Sequence, residues 1–375
     1  MRNIDVVIVG AGPAGIGMAL ELNKIAGLEY EVFESERIGE SFRRWASQTR
    51  FITPSFYSNP FGLADLNAVD AFSSPASLTS KEHLSGDDYT SYLEFIADEE
   101  MLPITSDCKV LSVTPTSPNG GFHLITEHGE LFTQYLIWAC GEFQFPNLTP
   151  FPGGNLCLHY AQIQDWATMK APSYTIIGGY ESALDSAINL LKLGCHVRLL
   201  VRDSTLEVSD VHDPSQILSL YTLQRLNEIE SMNDRLSIEY DANVVKVTLS
   251  EQDTFRIHAE DGRHWDNENP PILGTGFIKG GGAQQIKDLW MWDDDENIML
   301  SEIDESIQTP GLFLVGPQVR HDQRIYCFIY KFRQRFALIS KQIALRTQLN
   351  IAPSESDFGD WGPFGNSECC EGCEC

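Results

Sequence analysis

The 375-residue chain is 42% hydrophobic and 21% charged, a globular composition long enough for two cores of ordinary size and unlike that of a disordered chain. Its formal net charge of −27 leaves no global attraction for phosphate backbones or anionic lipid, so neither nucleic acid nor membrane is an expected partner. No apolar run approaches the roughly 18 residues of a membrane span, and no secretory pattern opens the chain. Nine cysteines, an odd number, argue against a disulfide framework, so a reducing, cytoplasmic setting is expected.

Residues 3–36, NIDVVIVGAGPAGIGMALELNKIAGLEYEVFESE, read as strand, glycine-rich turn, helix and second strand. The first strand is a continuous apolar run, as a buried parallel strand requires. Gly10, Gly12 and Gly15 form G-x-G-x-x-G around Pro13 and Ala14. Glu34 follows at the end of the second strand, roughly 20 residues on, where a ribose-binding acid is expected. Gly10 permits the tight turn, Gly12 lets backbone approach a pyrophosphate, and Gly15 lets helix and strand pack closely. Free N–H groups at the helix start then favour the phosphate charge. An acid on the ribose suits FAD or NAD.

Residues 39–63 are rich in aromatics and turn formers. DDYTSYLEFIADEEM, from Asp87, reads as an amphipathic helix with Asp87 or Asp88 near its N-cap. Residues 108–143 alternate like a small antiparallel meander, with a turn at Asn119-Gly120-Gly121. A second strand–turn–helix–strand unit spans residues 173–202, SYTIIGGYESALDSAINLLKLGCHVRLLVR. Gly178, Ser182 and Ala183 belong to its turn and helix start, and Tyr180 stands where the middle glycine is expected. A side chain there hinders backbone approach to a pyrophosphate. The closing strand ends at Arg202 rather than an acid, which favours a 2′-phosphate and hence NADPH, with NADH as the alternative. Residues 308–345 read as a buried strand, a turn and a long helix. From about Asn350 the chain is Gly, Pro, Ser and acid, without a basic residue, and reads as a flexible tail.

Two dinucleotide units nested in one chain resemble the two-domain FAD and NAD(P)H flavoproteins over roughly residues 2–345. YLIWACGEFQFPN, with Gly141, is similar to the family's strand ending in Ala-Thr-Gly, Cys140 taking the Thr place, and ILGTG is similar to its second copy. TPGLFLVG, ending in Gly316, is similar to the late strand that brings a turn to the flavin; Pro317 stands where the family usually has Asp. Two branches are resembled most. ERIGESFRRW, with Ser41 and Trp45, and RFITPSFYS are similar to flavin-facing segments of the flavin-containing monooxygenases and their Baeyer–Villiger relatives. FPGGNLCLHYAQIQDW is similar to their Phe-x-Gly-x-x-x-His signature, lengthened between Phe151 and His159. The second helical unit and RIYCFIYKFRQRFALI resemble the bacilliredoxin-reductase type, whose first glycine-rich loop holds a redox Cys where this chain has Ala14.

The resemblance implies an α/β chain of two nested Rossmann-like FAD- and NAD(P)-binding domains with three-layer parallel sheets and small antiparallel meanders. The expected boundaries are 1–170 and 277–349 for an FAD domain in two segments, 171–276 for an inserted NAD(P)H domain, and 350–375 for the tail. Gly10, Gly12, Pro13, Ala14, Gly15, Glu34, Ser41, Trp45, Gly141 and Gly316 are the expected FAD residues. Gly178, Ser182, Ala183 and Arg202 are the expected NADPH residues. His159 is read as a structural hydrogen-bonding residue rather than a base.

The tail ends SECCEGCEC, with four cysteines in seven residues and the chain's only Cys-x-x-Cys, Cys370 to Cys373. Three readings stand: a dithiol that relays two electrons to a disulfide, a soft-metal site, or an idle tail. Glu368, Glu371 and Glu374 raise thiol pKa values and slow attack unless the tail docks in a positive site. The leading expectation is an oxidoreductase passing hydride from NADPH to FAD and then electrons to a small-molecule or protein disulfide, with Cys370 and Cys373 as catalytic relay. No metal is expected to be needed, and a homodimer is compatible with this reading. The rivals are a monooxygenase using O2 and a metal-binding or redox-sensing flavoprotein without turnover.

Overall fold

A computed structural model describes residues 2–57, 64–116, 120–206, 213–229 and 234–353. Cys370, Cys373 and the rest of the tail from residue 354, and Asn119 of the anticipated turn, lie outside these residues. Two compact units form. The first takes the residues up to Arg43, Pro54–Glu142 and those from Lys279; the second takes Arg44–Thr53 and Phe143–Ile278.

The first unit opens with β1 (Arg2–Val9), α1 (Pro13–Leu22), β2 (Tyr30–Phe33), α2 (Glu40–Arg43), α3 (Pro75–Thr79) and α4 (Gly86–Glu99). Then come β3 (Ile104–Thr105), β4 (Val110–Pro115), β5 (Phe122–Thr126) and β6 (Gly129–Trp138). Strand order is β3-β2-β1-β6-β5-β4. The pairs β2–β3, β1–β2 and β1–β6 are parallel, while β4, β5 and β6 form the expected antiparallel meander. Val6, Val7 and Ile8 are all fully buried, so both faces of β1 are covered, as its continuous apolar run requires. The N-cap of α4 is Ser85, with Asp87 and Asp88 near it in the first turn as expected: the Ser85 hydroxyl accepts from the Asp88 amide while the Asp88 carboxylate accepts from the Ser85 amide, a capping box.

The second unit contains β7 (Leu158–His159), β8 (Ser173–Ile177), α5 (Glu181–Lys192), β9 (His196–Leu200), α6 (Leu220–Glu228) and β10 (Leu236–Glu239). It continues with β11 (Val244–Leu249), β12 (Phe255–Ala259), β13 (His264–Asn267) and β14 (Ile272–Leu273). A parallel sheet runs β10-β9-β8-β14-β7, and β11-β12-β13 form a separate antiparallel sheet. The unit begins near residue 143, earlier than the expected 171, because β7 extends its sheet and Trp166 is buried in its core. Residues 44–53 join it for a similar reason: Ala46 enters the same core and Gln48 binds Asp165 at 2.7 Å.

The chain returns to the first unit with β15 (Leu312–Leu314), β16 (Arg320–His321), β17 (Arg324–Ile325), α7 (Ile329–Phe332) and α8 (Phe336–Thr347). β15 pairs parallel to β6. The expected single long helix is two, separated by a 3-10 turn at Arg333–Arg335. α8 packs on α1, where a Cβ at Gly17 would meet the Phe336 ring at 2.4 Å.

Candidate functional site

In the first unit, Val9 lies opposite Trp138, and Leu314 lies opposite Trp138 on the other side. The turns after β1, β6 and β15 therefore gather at one edge, the carboxyl ends of parallel strands where open α/β sheets bind ligands. Gly10 has φ +106°, and a Cβ there would lie 2.7 Å from the Ala139 carbonyl oxygen. At Gly15 a Cβ would lie 1.8 Å from the Gly10 carbonyl oxygen, so only glycine allows this close turn. Gly12 is the N-cap of α1, with no side chain bonded to the helix start, and Pro13 is at N1. A Cβ on Gly12 would meet nothing within 4 Å, so open space lies before free helix amides. Gly316, after β15, packs on this loop: its Cβ would lie 3.2 Å from that of Ala14. These features fit the phosphates of a dinucleotide.

Glu34 is buried, and its carboxylate braces the loop. Oε2 accepts from the Ala11 amide at 2.7 Å, and Oε1 accepts from the Glu36 amide at 3.0 Å and the Ser35 hydroxyl at 3.1 Å. A carboxylate has about four acceptor positions, so room remains for a ribose hydroxyl. The half-buried Ser41 sits in α2, two residues past Gly39, whose amide donates to Ala11 at 3.1 Å. Trp45 belongs to the second unit, where it packs with Phe51 and Phe143. Gly141 has φ +63° and accepts from the Gly282 amide at 2.7 Å. Burial and the charge of Glu34 push the Cys140 thiol far up, which disfavours its thiolate.

The second unit repeats the arrangement. Gly178 has φ +137°, and its Cβ would lie 2.4 Å from the Gly274 carbonyl oxygen after β14, as Gly10 does against Ala139. Ala183 packs directly on Gly274, where a Cβ would meet it at 2.7 Å, and half-buried Ser182 precedes it in the first turn of α5. Tyr180 is the N-cap of α5 without a capping bond. Its hydroxyl instead reaches the carbonyls of Ser215 at 2.7 Å and Ile217 at 2.5 Å. The Glu181 carboxylate accepts from the Ser219 amide and the Thr222 hydroxyl, both at 2.6 Å. The start of α5 is thus tied to the chain entering α6. Arg202 is exposed and pairs with exposed Asp203 at 3.4 Å, a weak solvent-screened contact.

Sequence reasoning missed Asp185, one turn beyond Glu181 on α5. Asp185 Oδ2 accepts from Thr49 at 3.1 Å and Tyr160 at 2.9 Å, while Oδ1 accepts from Arg225 at 2.7 Å. Burial, with the Asp185 charge, holds the Tyr160 phenol well above its ordinary range. The acid repeat at helical spacing was the available signal; that both acids are turned inward was not readable. Glu142 was missed as well. This half-buried carboxyl, raised by burial, accepts from the amide of Gln318.

His159 is buried and locked in one tautomer. Nδ1 accepts from the Ala161 amide at 3.1 Å, so Nε2 carries the proton and donates to the Gly276 carbonyl at 2.9 Å. Burial lowers its pKa. The imidazole is a neutral structural link.

Among the described residues, no group of three or more His, Cys, Asp or Glu could hold a metal ion, and no helix is long and apolar enough to cross a membrane. A family model described as pyridine nucleotide-disulphide oxidoreductase matches residues 7–316. Bacilliredoxin reductase Bdr of Bacillus subtilis (strain 168) is 24% identical over 245 residues, 65% of this chain and 68% of that protein. Bacillithiol disulfide reductase Bdr (YpdA) from Staphylococcus aureus has the same fold at a TM-score of 0.75 and 18% identity, covering 93% of this chain and 100% of that one. A flavin-containing monooxygenase from Stenotrophomonas maltophilia gives a TM-score of 0.71 at 15% identity, covering 92% and 100%. Both branches that the sequence resembles are therefore neighbours in fold.

Proposed function

We propose, for a chain that belongs to the pyridine nucleotide-disulphide oxidoreductase family, that it binds FAD in the first unit and a nicotinamide dinucleotide in the second and passes two electrons to a disulfide. The observation that carries this reading is the repeated glycine-rich turn: two strand–turn–helix edges, one in each parallel sheet, each closed by a glycine against a neighbouring strand end. FAD, when bound, supplies the two-electron chemistry between nicotinamide and acceptor. Gly10, Gly12 and Gly15 bring backbone to the phosphates, the amides of α1 stabilise their charge, and Glu34 accepts from the ribose. Gly178, Ser182 and Ala183 do the corresponding work in the second unit. Arg202 is the cation for a 2′-phosphate, which favours NADPH over NADH.

The acceptor step falls to the tail. Among the described residues, Cys108, Cys140, Cys157 and Cys195 are free thiols. Burial raises the thiols of Cys140, Cys195 and Cys157, the last to about 12. None of these three offers a ready thiolate. Asn350–Ala352 are anchored beside Lys24–Ala26 at the far end of α1, through Ile351 opposite Ile25.

The test is an anaerobic titration of the purified flavoprotein with NADPH, followed by thiol counting with a blocking reagent. Flavin reduction together with two new thiols, lost in C370S and C373S, supports the relay. Flavin reduction with no gain in thiols overturns it. A flavin-hydroperoxide absorbance on admitting oxygen directs the reading to the monooxygenase branch, and tightly held stoichiometric Zn or Cu directs the tail to metal binding.

A further inference from the structure

We propose that Glu142, oriented by Gln318, is a contact residue for the flavin nucleotide in the first unit. The proposal rests on the reading that this unit binds FAD. Glu142 follows β6 at the edge where the turns after β1, β6 and β15 gather, one residue beyond Gly141. Ala139 and Cys140, just before it, pack on Gly10: a Cβ at Gly10 would lie 2.7 Å from the Ala139 oxygen and 3.4 Å from the Cys140 Cα. Gln318 comes from the turn after β15, two residues past Gly316, which packs on Ala14. Both residues are therefore carried by turns that touch the phosphate loop.

The pair is set with care. Gln318 Oε1 accepts from the Gly280 amide at 2.9 Å, and Nε2 donates to Glu142 Oε2. A Cβ at Gly281 would lie 2.6 Å from the Gly141 oxygen and 3.0 Å from the Glu142 Cα, and one at Gly282 would lie 2.3 Å from the Cys140 Cβ. The run of glycines at 280–282 thus lets backbone press against the Glu142 turn and hold Gln318 from its other side. Glu142 Oε1 receives no hydrogen bond from any described residue.

Burial favours the protonated form of Glu142 over the opposing effects of Arg320 and the Gln318 bond. Oε2 accepts from Gln318, so a proton taken up by this carboxyl would sit on Oε1, the oxygen without a hydrogen bond from the described residues. An oxygen at a ligand edge with no hydrogen bond of its own from the described residues is available to pair with the ligand. Pro317 has no side-chain acid to offer at this turn, and Glu142 is the carboxyl that the neighbouring turn supplies.

The test uses full-length apoprotein and FAD as the probe, with E142A, E142Q and Q318A. The E142A change should raise the FAD dissociation constant about tenfold, while the apoprotein melts at the wild-type temperature and only the FAD-induced rise in melting shrinks. E142Q keeps a donor at the same place and should bind FAD within about threefold of wild type. Q318A should weaken FAD severalfold by freeing the Glu142 rotamer, and it carries the same comparison should E142A not fold. E142A apoprotein binding FAD as tightly as wild type overturns the proposal. So does a fall in apoprotein melting that accounts for the whole change in the loaded protein, because the role is then structural. Wild-type apoprotein that takes up no FAD overturns the FAD reading itself, a result visible before any variant is made.

Discussion

Asp185 and Arg225 meet at 2.7 Å with both side chains about nine-tenths buried, and the same carboxylate also accepts from Thr49 and Tyr160. One acid on α5 thereby joins α6, the segment at 44–53 and the loop after β7 inside the second unit. Removing one partner of a buried pair leaves the other charge uncompensated. Asp185→Ala should cost about 3–5 kcal/mol of stability, and Asp185→Leu with Arg225→Met should cost clearly less. Chemical denaturation of the four members of the double-mutant cycle checks this; a double variant that costs as much as the two single variants together would show that the charges are not coupled.

Tyr180 ties the start of α5 to Ser215 and Ile217 and stands at the sequence position expected for the middle glycine of the second glycine-rich turn. Tyr180→Phe should lose about 1 kcal/mol of stability with the hydrogen bond. Tyr180→Gly should be less stable still, yet bind the nicotinamide cofactor about three- to tenfold more tightly. Calorimetric titration with NADPH separates the two effects. Weaker binding by the glycine variant would mean that the ring is a ligand contact instead of an obstruction.

Arg202 and Asp203 set opposite charges at the end of β9. Arg202→Ala should raise the KM for NADPH about tenfold and leave that for NADH nearly unchanged, because only the former carries a 2′-phosphate. Asp203→Asn should act in the other direction, improving NADPH a fewfold. Steady-state ratios of kcat/KM for the two cofactors report both. An equal loss with each cofactor would remove Arg202 from the phosphate site.

His159 gives the second unit a predictable acid sensitivity. Its folded pKa lies below its ordinary value near 6.5 because it is buried. Below that value the unfolded chain binds a proton that the folded protein resists. Its contribution to stability is therefore full at neutral pH and declines as pH falls through about 6.5 towards the folded pKa. Protonation would also set an Nδ1–H against the Ala161 amide. Melting between pH 7.5 and 5 should fall more steeply for wild type than for His159→Leu; parallel curves would show that the ring does not titrate on unfolding.

Much of the site was legible because its chemistry is local. A tight turn, a helix start and the residue ending a strand lie within one short stretch of chain, so Gly10, Gly12, Gly15 and Glu34 could be read as a group, and Gly178 and Ala183 likewise. What escaped was carried by contacts distant in sequence. Thr49 meets Asp185 across 136 positions, and Glu142 meets Gln318 across 176. No periodicity or spacing reports such partners.

The boundary of the second unit escaped for the same reason. Leu158–His159 is too short to announce itself as a strand, and it becomes one only because Ile272–Leu273 lies beside it. By itself the sequence determined the two glycine-rich turns, since sterics and hydrogen bonding between near neighbours allow little else for those glycines. Only the tertiary structure decided which carboxyls turn inward. Asp185, Glu142 and Glu34 are all acids in a strongly acidic chain, and burial beside particular donors is what separates them from the solvated majority.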